Sequence, residues 1–171
     1  MTLRQELSDL IEEVLKTRKI LARIGDFRGD FTQGEFQRLG RTQVSAITFA
    51  EIFDNYYTAL ETLFVRISQY YGNNLNRQRW HSDLLHKMTL SLPDVREAVL
   101  SEACASILQE FLKFRHFRRY YFEFEYDWDK LDFLNKKFDQ VVPLVERDLE
   151  TFAAFLKRVA GPIERDHVTG T

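Results

Sequence analysis

Apolar positions recur along this chain at intervals of three and four, the spacing that lines one face of an α-helix. The first stripe runs through Leu3, Leu7, Leu10, Ile11, Val14, Leu15 and Leu21. Thr2 precedes it with Gln5 three residues on, a capping box in which each side chain satisfies the other's backbone N–H. Glu12 and Lys16 stand as an i,i+4 pair on its polar face. Gly25 and Gly29 predict the end of this helix, followed by a loop to about Gly40. A second stripe of Val44, Ile47, Phe53, Tyr56, Tyr57, Leu60, Leu63, Phe64, Ile67 and Tyr70 predicts a helix from about Thr42 to Tyr71. Gly72-Asn73-Asn74 stops it, because Gly and Asn tolerate the left-handed C-cap geometry.

A shorter helix carries Trp80, Leu84, Leu85 and Met88 and ends before Pro93. Ser101, with Glu102 in the first turn, opens a long helix through Ile107, Leu108, Phe111 and Leu112, reaching the stretch from Phe114 to Tyr126. The last helix begins near Asp129, uses positions from Leu131 to Val159 and closes at Gly161-Pro162. Pro143 lacks a backbone donor and clashes with the preceding turn, which predicts a kink. Four long helices and one short one give an all-α fold, an up-and-down helical bundle. The pattern fits one domain over residues 1–162 with a flexible tail over 163–171.

Composition sharpens this picture. With 7 Gly and 3 Pro in 171 residues, the chain lacks the turn residues that a β-sandwich needs. Its 15 Phe and 7 Tyr point to bulky helix–helix contacts. The net charge of −2 supplies no global positive field, so any nucleic-acid contact must be local. Cys104 stands alone, which excludes an intrachain disulfide and a cysteine zinc site. His81 and His86 lack a third ligand nearby, and there is no Gly-rich phosphate loop, Gly-x-Ser-x-Gly elbow or HExxH, so neither metal nor cofactor is expected. No apolar run approaches the ~18 residues of a membrane span. The chain opens with Arg4, Glu6 and Asp9 in place of an apolar signal core, which predicts a cytoplasmic location.

One stretch is not ordinary core. Lys113, Arg115, His116, Arg118 and Arg119 place five cationic or potentially cationic side chains within seven positions. Arg115 and Arg119 share a helix face and repel by a few tenths of a kcal/mol; His116 and Tyr120 lie beside them. An anion between the guanidiniums, a carboxylate or a phosphate, would relieve the repulsion. Alternatively the arginines pair with carboxylates inside the fold or across a dimer, since Glu123, Glu125, Asp127 and Asp129 follow at once. Phe111, Phe114, Phe117 and Tyr121, interleaved with the charges, read as core.

The segment Phe114-Arg115-His116-Phe117-x-Arg119, followed by Tyr120-Tyr121 and by Asp127-Trp128-Asp129-Lys130-Leu131, resembles the motif region of HepT-like proteins of the HEPN superfamily. Trp80-His81, Leu84-Leu85, Met88 and Val95-Arg96 extend the likeness, which covers about residues 44 to 159. The resemblance implies a helical homodimer in which motifs from two protomers form a cleft and cleave RNA without metal. It also implies a toxin–antitoxin setting, with a minimal nucleotidyltransferase as the antitoxin that silences the toxin by adding AMP to a motif tyrosine. The family signature is an Arg, a His five to seven residues later, and often a Tyr two beyond the His. Arg115 fits, but Tyr120 stands at the His position and Phe122 at the Tyr position, and Tyr121 does not restore the match at wider spacing. Arg79 and His86 meet the spacing on a different helix. The resemblance therefore makes Arg115, His116 and Arg119 the candidate catalytic residues, and Tyr120 or Tyr121 the candidate AMP acceptor. Two other readings stay open: an inactive HEPN domain that binds a nucleotidyltransferase or RNA, and a plain helical interaction module.

Overall fold

The computed structural model describes residues 2–72, 80–118 and 126–161. They form α1 (Leu3–Gln33), α2 (Glu35–Leu39), α3 (Gln43–Tyr70), α4 (Trp80–Thr89), α5 (Glu102–Arg118) and α6 (Trp128–Ala160). Among the described residues there is no strand, only one isolated bridge between Leu92 and Arg96. The up-and-down order predicted from the periodicity is present. Arg28 of α1 meets Asp139 of α6 while Arg18 meets Glu146, so these helices run antiparallel. Ser101 of the α5 entry meets Asp148 and Phe111 meets Phe138, so α5 and α6 do the same. No described helix is long and apolar enough to cross a membrane.

α1 begins as predicted, with the Thr2 hydroxyl accepting from the Gln5 N–H at 3.3 Å. It does not stop at Gly25 or Gly29. Each glycine costs a helix about 1 kcal/mol relative to alanine, and packing on both sides offsets that. Leu21 is buried before them. After them, the Arg28 guanidinium lies 5.0 Å from the Phe138 ring centre and hydrogen-bonds Asn135 and Asp139. Phe31 sits edge-on to Phe49 at 5.1 Å. The helix ends at Gly34, whose N–H donates to the Asp30 carbonyl at 2.9 Å. The expected loop to Gly40 instead holds α2, whose Phe36 stacks on Trp128 at 5.8 Å.

α3 matches its predicted bounds, and Gly72 takes the left-handed conformation (φ 69°) expected of its stop. Val44 and Ile47 are exposed, contrary to the predicted stripe, because Ala46, Phe49, Ala50 and Phe53 take the inward face at that end of the helix. The centre is aromatic: Phe53 packs against Phe111, Phe114 and Phe138, and Tyr56 against Phe138. α6 starts on an Asp127 cap that accepts from the Asp129 N–H at 2.9 Å, and it remains helical through Pro143.

Two buried polar groups fix the ends of α4 and α5. The Asp148 carboxylate accepts from the Ser101 N–H at 2.8 Å and from its hydroxyl at 2.7 Å, and the Ser101 oxygen accepts from the Cys104 N–H at 3.3 Å. This caps α5 where the sequence placed its start. Beyond α4, the Arg96 guanidinium donates to the carbonyls of Lys87 (2.7 Å), Leu90 (2.9 Å) and Glu97 (3.2 Å). The orphan carbonyls at the helix end thereby gain donors.

Candidate functional site

α3 is apolar along most of its length, yet Glu51, Asp54 and Glu61 interrupt it with carboxylates. They face α5, whose Arg115 and Arg118 reach back to them. Arg115 Nη1 donates to Glu61 Oε1 at 2.8 Å, and its Nε lies 3.5 Å from Asp54 Oδ1. Arg118 Nη1 donates to Asp54 Oδ2 at 2.5 Å, and its Nη2 pairs with Glu51. Burial works against the charge of Arg118, but the Glu51 hydrogen bond and the charges of Glu51 and Asp54 outweigh it and hold its pKa above the ordinary value. Asp54 Oδ1 is buried without a hydrogen-bond partner among the described residues.

The second oxygen of Glu61 is also engaged. Glu61 Oε2 lies 2.7 Å from Nδ1 of His81, on the first turn of α4. One buried carboxylate thus joins an imidazole from α4 and a guanidinium from α5. A carboxylate can only accept, so Nδ1 of His81 is the donor, and the tautomer with one ring proton has its lone pair on Nε2. The Glu61 side chain is 7% exposed, and those of His81 and Arg115 are 27% and 28% exposed, so a sealed anchor supports two groups that solvent reaches. The His116 ring centre stands 6.0 Å from that of His81, edge to face. Tyr57 lies behind the cluster, buried. Burial and then the Glu61 charge push its hydroxyl well above the usual tyrosine range, with Arg115 opposing, so it stays protonated at neutral pH.

The predicted residues divide as follows. Arg115 sits in the centre of the cluster, and His116 lies on its exposed side. Arg119, Tyr120, Tyr121 and Phe122 lie outside the described residues, as do Arg79, Glu123 and Glu125. Pairing within the fold is observed for the arginines that are described, but the partners come from α3; Asp127, one of the carboxylates expected to serve, caps α6 instead. Phe111 and Phe114 are core as expected, whereas Phe117 is 62% exposed. Arg118, about 100° further round α5, turns toward α3 and leaves Phe117 outside.

Sequence reasoning placed His81 in the family likeness and weighed its chemistry only as a metal ligand, and it did not single out Glu51, Asp54 or Glu61. The signal was the spacing. Acids at 51, 54 and 61 on one helix oppose bases at 115 and 118 on another. Among the described residues no group of three or more His, Cys, Asp or Glu is placed to hold a metal ion. Cys104, apart from this cluster, has its thiol pushed up to about 12 by burial and then by Asp148, which leaves it a poor nucleophile.

A family model described as HepT-like protein matches residues 48–156. The match takes in most of α3, all of α4 and α5, and α6 as far as Leu156, with every residue of the cluster above; α1 and α2 lie before it. No curated protein and no solved structure matches the chain.

Proposed function

Because the chain belongs to the HepT-like protein family, we propose that it is the HEPN-type component of a prokaryotic toxin–antitoxin pair and cleaves RNA around Arg115. The observation that supports this reading most is the convergence of the Arg115 guanidinium with two imidazoles, His81 and His116, on one solvent-reached face. Such groups suit transesterification. The ribose 2′-oxygen attacks phosphorus as it loses its proton, negative charge grows on the non-bridging oxygens, and the 5′-oxygen departs as it gains a proton. An imidazole handles the proton and a guanidinium meets the charge. The products are a 2′,3′-cyclic phosphate and a 5′-hydroxyl. A homodimer would place two such faces around one RNA strand, and Arg119 would add a second cation. Light scattering on the eluting protein should then report about twice the 20.4 kDa chain mass.

The test is cleavage of single-stranded RNA in the presence of EDTA. Arg115→Ala should lower the rate about a hundredfold, or roughly 3 kcal/mol of transition-state stabilisation. Circular dichroism must show that the variant stays folded, because Glu61 and Asp54 lose their partner. Wild-type protein that leaves RNA intact would defeat the ribonuclease reading.

A second reading has its own support. Three carboxylates, Glu51, Asp54 and Glu61, surround two guanidiniums, so these described acids and bases leave one negative charge in excess. That balance disfavours a phosphate. It favours an inactive HEPN scaffold that binds a nucleotidyltransferase antitoxin. Capture of that enzyme by a protein that cleaves no RNA, before and after Tyr120→His, would establish it.

A further inference from the structure

We infer that His81, oriented by Glu61, is the general base of this site and supplies the imidazole that position 120 lacks; the inference rests on the ribonuclease reading above. Three candidates for the proton transfer stand near Arg115, and the geometry separates them. Tyr57 is buried, with its hydroxyl pushed up by that burial, so it neither reaches RNA nor ionises near neutrality. His116 is exposed, and among the described residues nothing hydrogen-bonds its ring. An imidazole without an orienting partner samples many directions and seldom presents its lone pair to one proton. His81 differs on both counts.

Its ring is held at Nδ1 by a carboxylate 2.7 Å away that is itself almost sealed from water. The neighbouring Trp80 ring lies 3.6 Å off, tilted by 33°, and limits its swing. The remaining nitrogen, Nε2, is the basic one, and the side chain keeps 27% of its surface exposed. The same carboxylate holds Arg115 at 2.8 Å through its other oxygen. Glu61 therefore sets the distance between the base and the group that would meet developing charge. It also offers a counter-charge when His81 takes up a proton. In the step, the 2′-hydroxyl proton passes to His81 Nε2 as the 2′-oxygen–phosphorus bond forms. The imidazolium returns that proton to the 5′-oxygen as the phosphorus–5′-oxygen bond breaks, so the net transfer is from one ribose oxygen to the next.

A purely structural role would be a pin. The His81–Glu61 bond would hold α4 against α3 and do nothing else. Rescue by free imidazole separates the two, because a pin is not restored by a diffusing base. The experiment measures cleavage of a fluorescent single-stranded RNA in EDTA by wild type, His81→Ala, His116→Ala and Glu61→Gln, each with and without added imidazole. His81→Ala should lower kcat at least ~100-fold with KM little changed, and imidazole should restore part of the loss. Glu61→Gln should fall between wild type and His81→Ala, and His116→Ala should lose less than His81→Ala. If His81→Ala fails to fold, His81→Asn takes its place, since the amide N–H still donates to Glu61; it should show the same loss.

Active wild type with an equally active His81→Ala overturns the assignment and leaves the ribonuclease reading standing. A loss in His81→Ala that imidazole leaves untouched also overturns it, and marks His81 as a pin. Wild type without cleavage defeats the reading and the inference together.

Discussion

Replacing Arg96 with methionine tests whether a buried guanidinium holds the end of α4. Arg96 is 3% exposed, and its side chain supplies three hydrogen bonds to the carbonyls of Lys87, Leu90 and Glu97. Methionine keeps the length of the stem and deletes every donor. Each charged hydrogen bond contributes about 1.5–3 kcal/mol, which bounds the gross loss. Two effects reduce it. The buried charge disappears with its desolvation cost, a cost visible in the way burial lowers the Arg96 pKa. Leu90 is also 40% exposed, so water can replace one bond. The net destabilisation should be about 3 kcal/mol, a large share of the 5–15 kcal/mol typical of a domain. Urea denaturation followed by circular dichroism reads it directly. With a slope near ~2 kcal/mol per molar, the midpoint should fall by about 1.5 M while the slope holds. Arg96→Lys keeps the charge but cannot reach three carbonyls at once, so it should recover only part of the loss. A Met variant within about 1 kcal/mol of wild type would refute the assigned role.

Three other outcomes are expected. Gly25→Ala and Gly29→Ala should each stabilise the protein by up to about 1 kcal/mol, since both positions are helical and an added Cβ meets nothing within 4 Å; a lowered melting temperature would show that α1 needs the gap. Cys104 should resist Ellman's reagent at pH 8 until the chain unfolds. Its folded thiol holds the proton to about 12 against 9.0 in the free state, so the stability it contributes is intact below pH 9 and lost as pH rises toward 12; Cys104→Ala should remove that part of the alkaline slope, and an unchanged slope would refute it. Incubation with ATP and a cognate nucleotidyltransferase should place AMP on Tyr120 or Tyr121, because Phe122 has no hydroxyl; peptide mass spectrometry that finds AMP elsewhere, or nowhere, removes this regulation.

Much of the fold was legible because helix periodicity is local. Stripes such as Leu131 to Leu156 state which face is buried without reference to any partner. The misreadings arose where a distant contact overrode a local preference. Gly25 and Gly29 signal a stop in isolation, yet Arg28 on Phe138 and Phe31 on Phe49 carry α1 onward. Phe117 looks like core by composition but lies outside the faces that α3 and α6 cover. At the site, the sequence showed the basic cluster and left its partners open. Nothing adjacent to Arg115 announces Glu61, 54 positions away, or the bond that Glu61 makes to His81. A triad spread over three helices can be read only when their register is known.

The order in which the helices touch bears on how the protein forms and opens. α1 packs on α2 and α3, α3 on α4, α4 on α5, and α5 on α6, so most contacts join near neighbours along the chain; the seam between α1 and α6 joins the remotest segments. Local contacts of this kind close quickly, and long loops close last. The stitches along that seam, Arg18 to Glu146 and Arg28 to Asp139, should therefore form late and release early. Glu61, His81 and Arg115 all belong to the consecutive α3–α5 unit, away from the seam. A bundle that breathes by lifting α1 from α6 keeps its triad assembled, and hydrogen exchange should show α1 amides released ahead of those in α3.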